Sequence, residues 1–348
     1  MQLPREVIIG NETLEFISDL CKRLGFYESV LVVMGPNTSY IAGRRVIDLL
    51  DDEGIDVNHI IVSSSTTKNV EAVEGKIKEL KPQVVLGIGG GTKIDVAKLS
   101  SARQGVPFIS VPTTASHDGI ASPVCSLKGL NKPYSIMAQS PMAIVADTSV
   151  IVQAAPHFAA SGCGDVVAKF TAVRDWRLAH NVKKEYYGEY AASLAMMSAR
   201  LVVKSADMIK PGMEEGLRVL LEALISCGVA MSIAGSSRPC SGSEHLFSHA
   251  LDLITPKPAM HGQQCGVGTI MMAYLHKMDW KRIKENLQKV GAPTTAEELG
   301  IETEHIIRAL MRARRIRPER YTILEEKRLS RDSAKKLAKA TGVIERLA

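Results

Sequence analysis

Several hallmarks of other protein classes are missing from this 348-residue sequence. Its six cysteines are scattered and include no CxxC pair, which argues against a disulfide framework and against a cysteine zinc site. No apolar run approaches the roughly 20 residues that a membrane-spanning helix needs. The first residues contain neither a basic segment nor a long apolar core. We therefore expect no signal peptide, no membrane insertion and a cytoplasmic location.

The sequence also lacks a strong excess of one charge. A formal net charge of +6 is compatible with an anionic substrate but too small to indicate nucleic-acid binding, so we expect no nucleic-acid partner. The densest basic stretch runs from Arg308 to Arg320. A phosphate-binding or RNA-binding patch is one interpretation of it. The preferred interpretation is a solvated helix face that ends at Pro318.

The hydrophobic pattern divides the chain into two parts, as its length also favours. Strand-like Val/Ile/Leu runs at 29–35, 58–64, 83–89 and 107–114 alternate with helical segments. This alternation predicts an α/β fold with a parallel sheet covered on both faces. After about residue 155 the strand-like runs disappear, and apolar residues recur at helical spacing to the end. We expect a ligand site in the cleft between an α/β half and an all-helical half.

A glycine-rich turn follows the strand at 83–89, in the segment VVLGIGGGTKIDVAK. Gly87, Gly89, Gly90 and Gly91 allow the backbone to approach a phosphate, and the next helix would direct its free N–H groups at it. The spacing matches neither GxGxxG nor GxxxxGK(S/T), which disfavours an ordinary Rossmann fingerprint and a kinase-like loop. A turn needed only for packing is the alternative to phosphate binding.

A polar loop, SVPTTASHDGIASP, follows the next strand. Its hydroxyl groups and the carboxylate of Asp118 lie at the carboxyl end of that strand, where open parallel sheets bind ligands. The strand at 29–35 leads into Met34-Gly35-Pro36-Asn37, which contains no acidic residue. An acidic residue there would hold the ribose hydroxyls and repel a 2′-phosphate, so its absence favours tolerance of NADP(H).

Histidines and one aspartate form a candidate metal site. His245 and His249 are four residues apart in GSEHLFSHALD, so they share one helix face, and His261 opens HGQQCGVG. Asp165 lies in SGCGDVVAKF, at a predicted helix start. Neutral imidazoles and a carboxylate, with one position left open, suit a catalytic Zn²⁺. Spacing alone suggests His245 and His249 as the ligand pair, and ordinary core or surface histidines remain the alternative.

Five motifs in this order resemble one enzyme family: GIGGGTKID, VPTTASHDGIASP, SGCGDVVAK, GSEHLFSHALD and HGQQCGVG. They resemble the glycerol-1-phosphate dehydrogenases, archaeal enzymes that set the stereochemistry of ether-lipid glycerol. They are more distantly similar to glycerol dehydrogenase and 3-dehydroquinate synthase. The resemblance covers about residues 5 to 345. It implies a dehydroquinate synthase-like fold, with a nucleotide-binding domain over 1–155 and a helical metal- and substrate-binding domain over 156–348.

The resemblance also implies a chemistry: Zn²⁺, NADP(H) or NAD(H), and interconversion of dihydroxyacetone phosphate with sn-glycerol 1-phosphate for lipid biosynthesis, in a homo-oligomer. Asp165, His245 and His261 resemble the zinc ligands, and Asp165 would also orient a substrate hydroxyl. This replaces His249 as a ligand, and His249 and Asp118 then resemble substrate contacts. The residues that resemble cofactor contacts are Gly91, Thr92, Lys93, Ile94, Asp95, Thr113, Thr114, Ala115, Ser116 and Ser122.

The residues that bind the substrate phosphate and the exact reaction each have more than one interpretation. Arg238 and Lys169 are candidates for binding the substrate phosphate, and each could equally be a surface residue. A dehydroquinate-synthase-like lyase, a glycerol dehydrogenase and a non-catalytic nucleotide sensor are the competing functions. The short side chain of Asp165 favours the dehydrogenase over the lyase.

Overall fold

A computed structural model describes residues 1–127 and 134–345. Within these residues the strands are β1 Glu6–Gly10, β2 Ser29–Met34, β3 Asp56–Ile61, β4 Val84–Gly89, β5 Phe108–Pro112, β6 Val124–Leu127, β7 Tyr134–Met137 and β8 Ala143–Asp147. Six of them form one parallel sheet in the order β1-β8-β5-β4-β2-β3. Strands β6 and β7 form a separate antiparallel hairpin. The predicted parallel sheet is confirmed.

Helices connect the strands and then make up the rest of the chain. The helices up to residue 151 are α1 Ile17–Arg23, α2 Pro36–Thr38, α3 Arg44–Asp51, α4 Thr67–Leu80, α5 Gly91–Gln104 and α6 Thr148–Ile151. The later helices are α7 Pro156–Val167, α8 Lys169–Lys183, α9 Glu189–Lys204, α10 Glu214–Ala234, α11 Ser243–Ile254, α12 His261–Leu275, α13 Trp280–Lys289, α14 Thr303–Arg312, α15 Ile323–Lys327 and α16 Arg331–Ala340. A π-helical turn, Ser39–Gly43, joins α2 to α3.

Strand β2 shows why both faces of the sheet are covered. Successive side chains of a strand point to opposite faces. Val30 and Val32 belong to a core cluster that includes residues of α1 and α3. Leu31 and Val33 belong to the other cluster, with residues of α4 and α5. A strand that is apolar at every position is therefore buried on both sides, as its sequence predicts.

Two strands of the sheet were not predicted from the sequence. Strands β1 and β8 are each five residues long, and they pair with each other in parallel. Strand β1 lies at the edge of the sheet, its side chains are largely half-buried, and its apolar run covers only residues 7–9. Strand β8 is fully buried and passes directly into α6 at Thr148. Both become strands because neighbouring backbone is available to pair with them.

Helix α10 corrects the statement that no segment reaches membrane-spanning length. It is 21 residues long, and by length and composition alone it could cross a bilayer. However, 56% of its most apolar window is buried within the fold. A Cβ atom on Gly228 of this helix would lie 2.5 Å from the backbone of Ala121, so the helix packs directly on the loop after β5. These contacts are those of a core helix.

The helical part begins differently from the prediction. The segment 161–180 has one helical pattern but forms two helices, because α7 ends at Val167 and α8 begins at Lys169. Asp165 therefore lies in the last turn of α7, and not near a helix start as predicted. The larger core cluster contains residues from the sheet and from the C-terminal helices alike. The domain division at 155/156 stays a prediction.

Candidate active-site cleft

A cavity of about 1130 Å³ lies where the carboxyl ends of β2, β4 and β5 face the starts of α11 and α12. The hairpin β6–β7 and the loop between α10 and α11 complete its wall. Most residues predicted from the sequence line this one cavity: Gly91, Thr92, Lys93, Asp95, Thr113, Thr114, Ser116, Asp118, Ser122, His245, His249 and His261. The glycine turn and the histidines, about 150 residues apart in sequence, thus share one space.

Three of the predicted site residues do not line the cavity. The side chains of Ile94 and Ala115 are fully buried in the hydrophobic core, so only their backbone is left to contact a cofactor. Their prediction as cofactor contacts stays a prediction. Asp165 is also buried, at 1% exposure, and lies behind the histidines. Among the other residues, Asp95 uses one carboxylate oxygen to accept a hydrogen bond from Ser126 N at 3.0 Å, which ties α5 to β6.

The glycine turn presses closely on the loop after β5. Helix α5 begins at Gly91, immediately after β4, and a Cβ atom there would lie 1.6 Å from Nε2 of His117. Gly89 has a φ of +148°, which residues with a side chain rarely adopt. The first N–H groups of α5 have no partner within the helix, and they border the cavity. This arrangement suits a phosphate anion.

The end of β2 borders the same cavity through Gly35, Pro36, Asn37 and Thr38. None of these residues is acidic, as the sequence indicates. The Thr38 hydroxyl accepts from Gly35 N at 2.8 Å and donates to Ile88 O at 3.0 Å, which joins this turn to β4. The tolerance of a 2′-phosphate stays a prediction.

His245 and His261 present the same ring nitrogen toward the interior of the site. Their ring centroids are 5.0 Å apart. Nδ1 of His245 lies 2.8 Å from Glu244 Oε1, and Nδ1 of His261 lies 3.2 Å from Ser248 Oγ. Nε2 of His245 lies 3.5 Å from Asp165 Oδ1. Metal-binding histidines are commonly oriented by such a hydrogen bond through the nitrogen that does not bind the metal.

Glu244 is a site residue that the sequence analysis did not identify. It is fully buried. Its Oε1 accepts from Gly242 N at 2.6 Å as well as pairing with His245, and its Oε2 accepts from Thr171 Oγ1 at 2.6 Å. The carboxylate is thereby fixed against the histidine ring. The available signal was an acidic residue directly before a candidate ligand, in a helix start that is otherwise small and apolar.

A buried lysine connects the predicted metal ligand to the predicted substrate contact. Lys169 Nζ lies 2.7 Å from Asp165 Oδ1 and 2.8 Å from Asp118 Oδ2. The backbone N–H of Asp118 donates to Asp165 Oδ2 at 2.8 Å. Burial acts to lower the pKa of Lys169, but the two carboxylates raise it well above its ordinary value. Since both its partners are inside the protein, Lys169 is not placed to bind a substrate phosphate.

The same contacts influence the protonation of Asp165 and His261. Burial acts to raise the pKa of Asp165, but Lys169 and His245 bring it well below its ordinary value. Burial and the charge of His245 lower the pKa of His261 to about 3. Asp165 is therefore an anion and His261 a neutral imidazole at neutral pH. Both are protonation states that bind a divalent cation. Burial acts to lower the pKa of His245, but Cys265, Asp165 and Glu244 raise it well above its ordinary value, so an ion bound there displaces a proton from His245.

His249 is the third imidazole of the site. Its ring centroid lies 5.7 Å from that of His261, and burial lowers its pKa. Within the described residues, its buried Nδ1 has no hydrogen-bond partner, and Asp252 Oδ2 lies 3.7 Å away. An unsatisfied buried nitrogen beside a cavity suits contact with a bound ligand.

The donor set fits a divalent cation. The rings of His245 and His261 lie side by side, and the carboxylate of Asp165 lies against His245, while the cavity leaves room for a further ligand. A thiol not expected from the sequence lies nearby, with Cys265 Sγ 3.6 Å from His261 Nε2. Burial raises the pKa of this thiol, so it is protonated in this environment. The assignment of Asp165, His245 and His261 as metal ligands stays a prediction.

The basic residues depart from the sequence interpretation. Arg238 is buried and forms two hydrogen bonds with the carboxylate of Glu185, so it is already neutralised. The stretch 308–320 is not one solvated helix face, because α14 ends at Arg312 and a 3₁₀ turn follows over Ala313–Arg315. Beyond that turn, Arg317 and Arg320 reach residues of the cavity wall.

Comparison with known proteins identifies the family. Residues 8–156 match the family model described as iron-containing alcohol dehydrogenase. The chain is 56% identical over 344 residues to a glycerol-1-phosphate dehydrogenase of Pyrococcus furiosus, covering 99% of both chains. It is 52% identical to the Methanosarcina barkeri protein of that name, covering 99% of this chain and 96% of the other. The chain belongs to the glycerol-1-phosphate dehydrogenase family. The resemblance seen in the five motifs is confirmed.

Solved structures confirm the fold class. Glycerol dehydrogenase from Schizosaccharomyces pombe superposes with a TM-score of 0.79 at 21% identity, covering 98% of this chain and 90% of the other. A probable glycerol dehydrogenase from Sinorhizobium meliloti gives a TM-score of 0.77 at 19% identity, covering 99% of both chains. This member of the glycerol-1-phosphate dehydrogenase family therefore has the dehydroquinate synthase-like fold of the iron-containing alcohol dehydrogenases.

Proposed function

We propose that this protein catalyses the reversible reduction of dihydroxyacetone phosphate to sn-glycerol 1-phosphate with NADPH or NADH, and so supplies glycerol phosphate for lipid biosynthesis. Relatives at 52–56% identity over the full chain are named for this activity, with NAD(P)+ as their cofactor. The observation that carries the proposal is the single cavity lined by the glycine turn, Asp118 and three histidines. A nucleotide and a small polyol bound there would be adjacent.

The cofactor contributes the hydride, and the chain's task is to hold it. The N–H groups at the start of α5 would bind the pyrophosphate, since helix N-termini favour anions. The hydroxyl groups of Thr113, Thr114 and Ser116 line the same part of the cavity and offer further hydrogen bonds. These residues, with Gly91 to Asp95 and Ser122, are the proposed cofactor site.

Asp165, His245 and His261 are the proposed ligands of a divalent ion, for which zinc suits the nitrogen and oxygen donors. The chemistry that such an ion supplies when bound is polarisation of the substrate carbonyl. Glu244 and Ser248 orient the two imidazoles, and Lys169 holds the carboxylate. Contacts within the protein thus orient all three proposed ligands.

His249 and Asp118 are the proposed substrate contacts. His249 is neutral near pH 7 because burial lowers its pKa, so its ring can exchange a proton with a substrate hydroxyl or bound water. Asp118 is fixed by Lys169 and lies at the cavity wall, where its carboxylate can accept a hydrogen bond from a hydroxyl group. Both side chains border the cavity.

The test is a substrate and cofactor panel with the metal-loaded protein. Oxidation of NADPH or NADH in stoichiometric amounts by dihydroxyacetone phosphate, with sn-glycerol 1-phosphate as the product, is expected. A faster reaction with glycerol than with glycerol 1-phosphate would instead indicate a glycerol dehydrogenase. Cofactor binding without turnover would indicate a nucleotide sensor, and phosphate elimination without net cofactor oxidation a lyase.

The assembly and location are proposed with the function. We propose a cytoplasmic homo-oligomer, built from domains over 1–155 and 156–348. Tyr190, Met197 and Leu201 form an exposed apolar stripe on one face of α9, which a second copy could cover. All six cysteines are free, buried thiols, as suits a reducing compartment. Measurement of the mass in solution tests the oligomer, and a monomer at micromolar concentration would contradict it.

A further inference from the structure

Two loops that meet at the cavity carry three arginines. Arg238 lies in the loop between α10 and α11, and Arg317 and Arg320 lie between the 3₁₀ turn after α14 and the start of α15. Arg320 donates from Nη1 to Ser241 O at 2.5 Å and from Nη2 to Ser237 Oγ at 2.9 Å. Both serines line the cavity. The second loop therefore holds the first loop in place as part of the cavity wall.

Arg317 contacts the β6–β7 hairpin. Its Nη2 donates to Ser135 O at 3.3 Å, and Ser135 lines the cavity. Its charge also reaches His249, whose pKa is lowered mainly by burial and further by the positive charges of His245 and Arg317. The guanidinium thus contacts the hairpin wall of the cavity, and its charge acts on the imidazole proposed to contact substrate.

The charges of Arg317 and Arg320 are only partly offset, by Glu319 near both and by Glu185 near Arg320. Glu185 neutralises Arg238. Over the described parts of the chain, no carboxylate lies within 4.0 Å of the guanidinium nitrogens of Arg317 or Arg320. Burial, together with Arg317 and Arg238, lowers the pKa of Arg320 to about 9, so the group is still charged at neutral pH. Neighbouring like charges in a partly buried setting favour the binding of an anion.

We propose that Arg317, with Arg320 behind it, binds the phosphate group of the substrate and makes the enzyme select a phosphorylated ketone over its phosphate-free counterpart. The proposal rests on the proposed function, because that function provides a small phosphomonoester as the ligand. A guanidinium offers paired N–H donors whose spacing matches two phosphate oxygens. Arg317 keeps most of these donors available, since its hydrogen bond to Ser135 O uses one nitrogen only.

The position favours the substrate phosphate over the 2′-phosphate of NADPH. In doubly wound folds the adenosine ribose lies at the end of the strand that here is β2, beside Asn37 and Thr38. Arg317 approaches from the opposite, helical side and acts on His249. A role in binding NADPH is therefore an outcome to be tested and not the proposal.

The experiment compares Arg317→Gln with the wild-type enzyme on dihydroxyacetone phosphate and on dihydroxyacetone, each with NADPH and with NADH. We expect KM for the phosphorylated ketone to rise about 10- to 100-fold, as for the loss of hydrogen bonds to a charged group. Kinetics with dihydroxyacetone, metal content and the affinity for each cofactor should not change. Arg315→Gln is the matched control, because Arg315 is exposed two residues earlier and should leave all constants unchanged.

Binding of inorganic phosphate to the metal-loaded protein, measured by titration calorimetry, separates this proposal from the proposed function. Wild-type protein should bind phosphate, and Arg317→Gln should bind it about tenfold or more weakly. If the wild type reduces no ketone but Arg317→Gln still weakens phosphate binding, the proposed function is refuted and the anion site is not. Equal effects of Arg317→Gln on both ketones, or an effect seen only with NADPH, would overturn the proposal that Arg317 binds the substrate phosphate.

If Arg317→Gln does not fold, Arg317→Lys must still raise KM severalfold for the phosphorylated ketone alone, because it loses the paired donors.

Discussion

The orientation of two imidazole rings is decided by single neighbouring side chains. Glu244 accepts from Nδ1 of His245, while the Ser248 hydroxyl pairs with Nδ1 of His261. Because each Nδ1 is occupied, Nε2 is the nitrogen left for a cation in both rings. Glu244 is in turn fixed by Gly242 N and the Thr171 hydroxyl. The predicted ligands are thus arranged by residues that do not touch the ion.

Glu244→Ala should weaken metal binding without removing any proposed ligand. Loss of the partner at Nδ1 frees the His245 ring to rotate, and such changes typically cost 10- to 100-fold in metal affinity. Competition with a chromophoric chelator measures the dissociation constant. Glu222→Ala, which removes an exposed carboxylate paired with Arg218, is the control. Unchanged metal affinity in Glu244→Ala would contradict the orienting role.

Lys169→Met should destabilise the protein strongly. The substitution leaves the buried carboxylate of Asp165 without its cation, and breaking a buried ion pair in this way costs about 3–5 kcal/mol. Urea denaturation of the metal-free protein measures the free energy of unfolding. Lys76→Met, in the exposed pair with Glu79, should cost less than about 1 kcal/mol. Similar losses in the two variants would show that Lys169 is not a buried partner of Asp165.

At the scale of secondary-structure elements, the start of α11 is held by a carboxylate from another helix. Asp175 of α8 accepts from Ser243 N at 2.7 Å through Oδ2, and from Ile323 N at 2.7 Å through Oδ1. His276 Nε2 lies 3.0 Å from the same Oδ1. A negative charge at a helix N-terminus is also favoured by the helix dipole. One side chain therefore positions α11, which carries His245 and His249, against α15.

Asp175→Ala should lower both stability and metal affinity. Two buried backbone N–H groups would lose their acceptor, at about 1–3 kcal/mol each. Thermal unfolding should therefore begin at a lower temperature, and the metal should bind more weakly because α11 loses its fixed start. Asp207→Ala, at an exposed carboxylate paired with Lys289, should change neither quantity. A variant that is destabilised but binds the metal with normal affinity would show that the start of α11 does not position the metal site.

At the scale of the whole molecule, the proposed ligands come from three helices, one of which is far from the other two in the sequence. Asp165 is on α7, His245 on α11 and His261 on α12. An ion bound by all three would link these helices, so removal of the metal with a chelator should lower the unfolding temperature. A ligand present at 100 times its dissociation constant stabilises the folded state by about 2.7 kcal/mol. NADPH binding, followed by fluorescence, should persist, since the glycine turn uses none of these residues.

The six thiols report on the integrity of the whole fold. All are buried, and burial raises the pKa of Cys21, Cys125 and Cys163 to about 12. The thiolate is the reactive form, so native protein at about pH 8 should not react with an aromatic disulfide reagent. Six thiols should react after denaturation. Rapid reaction of the native protein would indicate a looser fold than the one described.

Much of this site could be predicted from the sequence because the patterns that indicate it span only a few residues each. Strand β4 and the start of α5 follow from an apolar run and the glycines after it, all within a few residues. The spacing of His245 and His249 places them on one helix face whatever the rest of the fold does. His261 and Asp165 were candidates from their residue types, and the family resemblance then chose His261 in place of His249 as the second histidine ligand.

Only the tertiary structure brought in the residues that hold those groups in place. Lys169 meets Asp118 across 51 positions, and Arg320 meets Ser241 across 79, separations at which no periodicity relates two residues. The short strand β8 likewise depends on β1, more than 130 residues away, for its hydrogen bonds. Local patterns determine which elements form and which residues could react. Packing of distant elements determines which charges are buried together, and therefore which side chains orient the site.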